Sequence, residues 1–311
     1  MLEQPVWSRL ANAENILIAG CGGGYDVLGA VPLMVRLLDA DKRVHLASLT
    51  FSNADRLELD EFDPNLPNLK GISGRAARED RYCPEAWLAR WKEDRLGLKE
   101  PVWLFDRTGV PPLVAAYGRL AKSLRLDAII LVDGGIDALL RGDEFRLGTP
   151  MEDYASLAAA SSLEDVPVKI LACLGMGAEW RDGIRHRQVF DRIADLNQRG
   201  AYWGVCALMP GTREGDLYLE ALDFVLEGQS RQRNSYVHAC VRRAMGRGEL
   251  PEPVWQWSLL NMYWFFDLMA AARANIHLEN IRGAWEDLEV SAIIDRVHAS
   301  LNREDPGPIP L

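Results

Sequence analysis

The sequence predicts an α/β fold: a doubly wound, mostly parallel, Rossmann-like sheet with a C-terminal helical extension. Three observations carry this. Six apolar runs, at 16–19, 44–49, 102–105, 128–132, 168–174 and 201–208, are continuous rather than alternating, as in parallel strands covered on both faces. Helical segments lie between most of them, the alternation that builds a parallel sheet. The first run opens directly into Gly20-Cys21-Gly22-Gly23-Gly24-Tyr25-Asp26. A glycine-rich turn there lets a backbone lie close to a ligand at the end of the first strand.

After this loop, 27–38 is apolar nearly all round and reads as a buried helix. Pro32 means that the helix either starts near Gly29 or bends at the proline. The second strand ends on Thr50, Phe51, Ser52 and Asn53. The stretch 65–100 is long for a βα connection and rich in Gly and Arg, which marks an insertion and a candidate lid. Pro112 opens a segment with Leu113, Tyr117, Leu120 and Leu124 at helical spacing. Thr149-Pro150-Met151-Glu152 is a capping box with proline at the first helical position. Another helix, 185–198, precedes the sixth strand. Past Met209-Pro210-Gly211 the strand signal stops, and 217–226, 235–245, 258–274 and a final stretch with Val290, Ile294, Val297 and Leu301 read as helices. The expected organisation is a ligand-binding core over 1–211 and a helical extension over 212–311 packed on it.

At 311 residues, 48% hydrophobic and 26% charged, the chain can bury a large core. A net charge of -10 argues against nucleic-acid binding, because Arg75, Arg78 and Arg81 are interrupted by Glu79 and Asp80 and form no segregated basic patch. No apolar run approaches the roughly 20 residues that cross a bilayer. The five cysteines have no CxxC spacing, and three fall in apolar segments, as expected of reduced thiols in a cytoplasmic protein. Ten tryptophans include Trp87 and Trp91 one helical turn apart and a late cluster with Trp255, Trp257 and Trp264. Such stripes read as core or as a subunit contact, so a homodimer through the C-terminal helices is expected.

Two stretches together resemble a known family. Gly22-Gly23-Gly24-Tyr25-Asp26-Val27, and Val132-Asp133-Gly134-Gly135-Ile136-Asp137 followed by Arg141-Gly142-Asp143-Glu144, look like the prokaryotic domain of unknown function 1152 family. The resemblance implies an α/β fold and no activity. That family's first motif has four glycines before the Asp, and Tyr25 takes the last of those places.

The chemistry follows from where carboxylates and glycines fall. Asp133 closes the run 128–132, so it belongs at the carboxyl edge of a central strand, where open α/β sheets bind ligands. Asp137 follows four residues later. Paired acids suit acid–base catalysis or Mg²⁺, and the alternative is a turn acid and a cap. Asp26 either caps a helix or holds a metal or a ligand hydroxyl. The expected catalytic residues are therefore Asp133, Asp137 and Asp26, with Asp26 and Asp133 as metal ligands. Gly22, Gly23, Gly24, Ser52, Asn53, Gly134 and Gly135 are the expected ligand contacts, and Asp55 and the stretch Gly175-Met176-Gly177-Ala178-Glu179 are secondary candidates. Cys21 reads as a small buried residue rather than a nucleophile. The five histidines show no ligand spacing.

The function that fits is an enzyme acting on a small phosphate- or carboxylate-bearing metabolite. The glycine loop would bind the anionic part, with Mg²⁺ or a nucleotide as the candidate cofactor. The alternative is a non-catalytic nucleotide-binding or sensor protein. A third reading, an NAD(P) oxidoreductase or S-adenosylmethionine-dependent methyltransferase, lacks the acid that should close the second strand.

Overall fold

The computed structural model describes residues 4–52, 57–59, 61–62, 65–229, 235–256 and 258–307. Asn53, Asp55 and Trp257 lie outside the described residues. Among these residues nine strands form one sheet: β1 (Asn15–Gly20), β2 (Arg43–Leu49), β3 (Glu61–Phe62), β4 (Leu69–Ile72), β5 (Val102–Phe105), β6 (Ala128–Gly134), β7 (Val168–Leu174), β8 (Tyr202–Ala207) and β9 (Met262–Asp267). Their order is β3-β4-β5-β2-β1-β6-β7-β9-β8. The central five, β5-β2-β1-β6-β7, are parallel, while β4 and β9 run against their neighbours. The mostly parallel α/β sheet expected from the sequence is present.

The helices are α1 (Pro5–Leu10), α2 (Val31–Leu38), α3 (Pro84–Leu96), α4 (Val110–Leu124), α5 (Pro150–Ser161), α6 (His186–Gln198), α7 (Arg213–Gly228), α8 (Tyr236–Ala244), α9 (Leu268–Ala274), α10 (Leu278–Ile281) and α11 (Asp287–Ala299). Successive strand residues feed opposite layers, because Cβ atoms alternate across a sheet. Leu17, Ala19, Ile129 and Leu131 join one core, whereas Ile16, Ile18, Ile130 and Val132 join the other. All eight are buried, which is why these runs carry no polar alternation. Each fully buried Leu, Ile or Val among them contributes about 1.5–3 kcal/mol.

Chain order sets the position of the site. From β1 the sheet grows through β2 to β5 on one side, then resumes at β6 and β7 on the other. The switch lies between β1 and β6, whose carboxyl ends carry the glycine loop and Asp133. Cys21 N–H donates to the Val132 carbonyl at 2.7 Å and closes the two strands together.

Several expectations need correction. The helix expected over 27–38 begins at Val31, with Pro32 in its first turn where no N–H is required, and a 3₁₀ turn (Gly24–Ala30) precedes it. The helix expected over 258–274 is half strand. Tyr263, Trp264, Phe265 and Phe266 form an unbroken run of strand formers, so β9 inserts between β7 and β8. Tyr263 and Phe265 fill one core and Phe266 the other. The stretch read as an inserted lid supplies β4, paired with β5, and α3, whose Trp91 is buried and donates to Glu220 of α7 at 3.2 Å. Thr149 stands at the N-cap of α5 without a side-chain cap bond, so the capping box is not closed.

All five cysteines are free thiols, four of them buried and Cys206 partly exposed. Among the described residues, no helix is long and apolar enough to cross a membrane.

One polar pin holds α6 to the core. Arg192, 2% exposed, donates from Nε to the Leu139 carbonyl at 2.9 Å and from Nη2 to the Ala271 carbonyl at 3.2 Å. Its Nη1 lies 3.4 Å from Asp195. Arg192→Leu strands both buried carbonyls and is expected to cost about 2–5 kcal/mol. The check is the urea midpoint; an unchanged midpoint would refute the role.

Candidate functional site

The glycine loop leaves β1 and folds back over a carboxylate. Asp26 Oδ2 accepts the Gly22 N–H at 2.9 Å. A Cβ on Gly22 would lie 2.6 Å from Asp26 Oδ2, and one on Gly134 would lie 2.6 Å from Asp26 Oδ1. A side chain at either position would displace the Asp26 carboxylate from the place it holds. The carboxylate therefore bridges the two strands that flank the switch. It accepts from the amides of Gly22 and Gly23 behind it in the chain and of Gly134 across the sheet, and caps no helix.

Asp133, 3% exposed at the end of β6, accepts the Ala138 N–H through Oδ2 at 2.9 Å. Asp137 accepts the Thr149 N–H through Oδ2 at 2.8 Å, which ties the loop after β6 to the start of α5. The first turn of α5 then carries Asp153, 5% exposed, whose Oδ1 has no hydrogen-bond partner. Beyond β7, Glu179 accepts the Gly177 N–H through Oε2 at 2.7 Å, while its buried Oε1 is unpartnered.

These groups line one cavity of about 210 Å³ at the carboxyl edge of the sheet. Asp26, Asp133 and Asp153 each offer a carboxylate oxygen, and the three oxygens lie within 4.8 Å of one another. Asp137, Glu179, Glu152 and Asp182 add further acid, and Phe51 and Tyr82 bring aromatic surface.

Taking so many carboxyls out of water favours their neutral forms. Burial pushes Asp26 up to about 6, Asp137 to about 7 and Glu179 to about 8, against the opposing pull of backbone N–H donors. Burial and the neighbouring carboxylates hold Asp133 and Asp153 well above the ordinary range. Burial and the same acids also drive the Cys21 thiol well up, which suits packing and not nucleophilic attack.

Of the residues expected from the sequence, Gly22, Gly23, Asp26, Asp133, Gly134, Gly135 and Asp137 line the cavity. Gly24 does not: its φ of +62° turns the chain under Phe51 and Tyr82, where a Cβ would stand 2.6 Å from the Tyr82 hydroxyl oxygen. Ser52 also lies outside the lining, its N–H donating to Thr50 Oγ1 at 3.0 Å. Asp153 was not anticipated. Its local sequence reads as the first turn of a helix, and only the direction of α5 brings it beside Asp133.

Residues 88–226, from within α3 to within α7, match the model of a family described as protein of unknown function (DUF1152). Over that stretch, a little under half of its length, the chain is similar to the DUF1152 family. The matched stretch contains Asp133, Asp137, Asp153 and Glu179, while the glycine loop lies before it. No curated protein and no solved structure matches the chain.

Proposed function

We propose that this protein is a divalent-cation-dependent enzyme acting on a small phosphate- or carboxylate-bearing metabolite. The observation that carries the reading is the trio Asp26, Asp133 and Asp153, with oxygens within 4.8 Å of one another and Asp153 Oδ1 buried without a partner. Three carboxylates this close repel one another unless protons or a cation intervene. Hard oxygen donors suit Mg²⁺ or Mn²⁺, and such an ion supplies charge that an anionic substrate can bind to.

The glycine loop serves the site through Asp26. Its amides hold that carboxylate in place, and substrate anion is bound through the cation instead of through the loop. Glu179 lines the same cavity but stands outside the trio, with one oxygen fixed by Gly177 and the other unpartnered. Protonated about half the time near pH 8, it can take a proton from a reacting hydroxyl or water and return it to a leaving oxygen.

Calorimetric titration of metal-free protein with Mn²⁺ and Mg²⁺ tests the reading, followed by a product screen over small phosphorylated and carboxylated metabolites in the presence of the bound ion. One strongly bound cation per chain and cation-dependent turnover are expected. No binding at millimolar Mn²⁺ would sink the cation. Binding without turnover would leave a sensor.

A further inference from the structure

In sheets of this class an anion is expected at the glycine loop, but here the Gly22 amide is already taken by Asp26. The positive character of the cavity lies elsewhere, on its β7 side. Arg181, in the turn after β7, is the only basic side chain among the described residues lining the cavity. Its Nε donates to Asp182 at 3.2 Å and its Cζ stands 4.2 Å from the Tyr236 ring centroid, so the guanidinium is held in place while 45% of the side chain stays accessible.

Beside it the amino end of α8 faces the same cavity. Ser235, the N-cap residue, and Tyr236 and Val237, the first two helical residues, all line it. First-turn amides have no backbone acceptor within their own helix; here the Ser235 hydroxyl takes the His238 N–H at 3.3 Å, so the amides of Tyr236 and Val237 are the ones that count. The helix end is fixed against the glycine loop. His238 Nε2–H donates to the Tyr25 carbonyl at 2.8 Å, and its Nδ1 accepts the Tyr218 hydroxyl at 2.6 Å.

We propose that Arg181 and the amino end of α8 receive the phosphoryl group of a small phosphorylated substrate, which reaches across to a cation held by Asp26, Asp133 and Asp153. This rests on the cation reading above. The unpartnered, buried oxygens of Asp153 and Glu179 call for positive charge or protons, while Arg181, whose Nε is paired with Asp182, and the helix end can still receive negative charge. A cation–phosphate pair answers both, and neither ion does so alone. A phosphoryl group has three terminal oxygens in tetrahedral array and about two negative charges, so it can give cation, guanidinium and amide an oxygen each; a planar carboxylate carries one charge and must share two oxygens among the three. A cavity of about 210 Å³ takes such a group with a few further atoms, which suits a small molecule and not a polymer.

The test uses inorganic phosphate and acetate on protein loaded with Mn²⁺, read by calorimetry and by Mn²⁺-dependent broadening of the phosphorus resonance. Phosphate is expected to bind at least ~10-fold more tightly with Mn²⁺ than without it, and more tightly than acetate. Loss of one charge-assisted contact in Arg181→Gln is expected to weaken phosphate by ~10-fold or more, with Mn²⁺ affinity unchanged within about threefold and partial recovery in Arg181→Lys. If Mn²⁺ binds but phosphate does not exceed acetate, or Arg181→Gln leaves phosphate binding intact, this inference is wrong and the cation reading stands. If wild-type protein binds no Mn²⁺, both are wrong.

Discussion

Replacing Asp153 by Asn is expected to lower Mn²⁺ affinity by ~100-fold or more without unfolding the metal-free protein. Changes to groups that merely orient metal ligands cost about 10–100-fold, so removing a ligand charge should reach at least the upper end. The metal-free chain gains from the same change. Asp153 is buried at 5% exposure beside Asp133, and Oδ1 has no donor, so a neutral amide of the same shape relieves charge that the fold tolerates only by protonation. Wild-type protein at a hundredfold excess of cation over its dissociation constant should gain about 2.7 kcal/mol, and Asp153→Asn should gain almost none under the same conditions. Asp182→Asn is the control. Asp182 lines the cavity but lies outside the trio, so its loss should leave Mn²⁺ affinity within about threefold. An Asp153→Asn protein that binds Mn²⁺ as tightly as wild type would remove the trio from the site.

Why Asp133 was legible in the sequence and Asp153 was not has a physical basis. Asp133 ends a continuous apolar run, and such a run in a parallel sheet fixes both the strand and the edge at which it stops. The glycine loop is legible for the same reason, since it ends the run before it. What the glycines accommodate is not visible locally. Gly22 and Gly134 lie far apart in the chain, and only the pairing of β1 with β6 shows that both make room for the carboxylate of Asp26. Asp153 sits in a helical first turn, where acids are common because they complement the helix dipole. Its burial comes from α5 packing over the end of β6. The aromatic run that forms β9 failed for a related reason: Tyr263 to Phe266 satisfies strand and helix patterns alike, and the open edge of β7 decides between them.

The stability of the metal-free protein should fall as pH rises from about 4.5 to about 8.5, and saturating Mn²⁺ should flatten or reverse that fall. The sign follows from proton binding. In an unfolded chain the carboxyls titrate near 4, whereas Asp26, Asp137 and Glu179 titrate at about 6, 7 and 8 in the fold, chiefly because they are buried. Between these limits the folded protein holds more protons than the unfolded one, so raising the pH favours unfolding. The stabilising contribution is complete below the unfolded values and is lost as pH passes through each folded value. Glu179 holds its proton to a higher pH than Asp26 or Asp137, and Asp133 and Asp153, also held well above the ordinary range, act in the same direction. A cation reverses the trend because it competes with these protons, so its affinity should climb over the same window. Thermal unfolding at a series of pH values, with and without Mn²⁺, reads both effects. Glu179→Gln should make the fall shallower across the window, most visibly above about pH 7, where Asp26 and Asp137 have already titrated. A metal-free protein whose midpoint rises steadily across this window would mean that the carboxyls of the cavity are ionised and satisfied without any ligand.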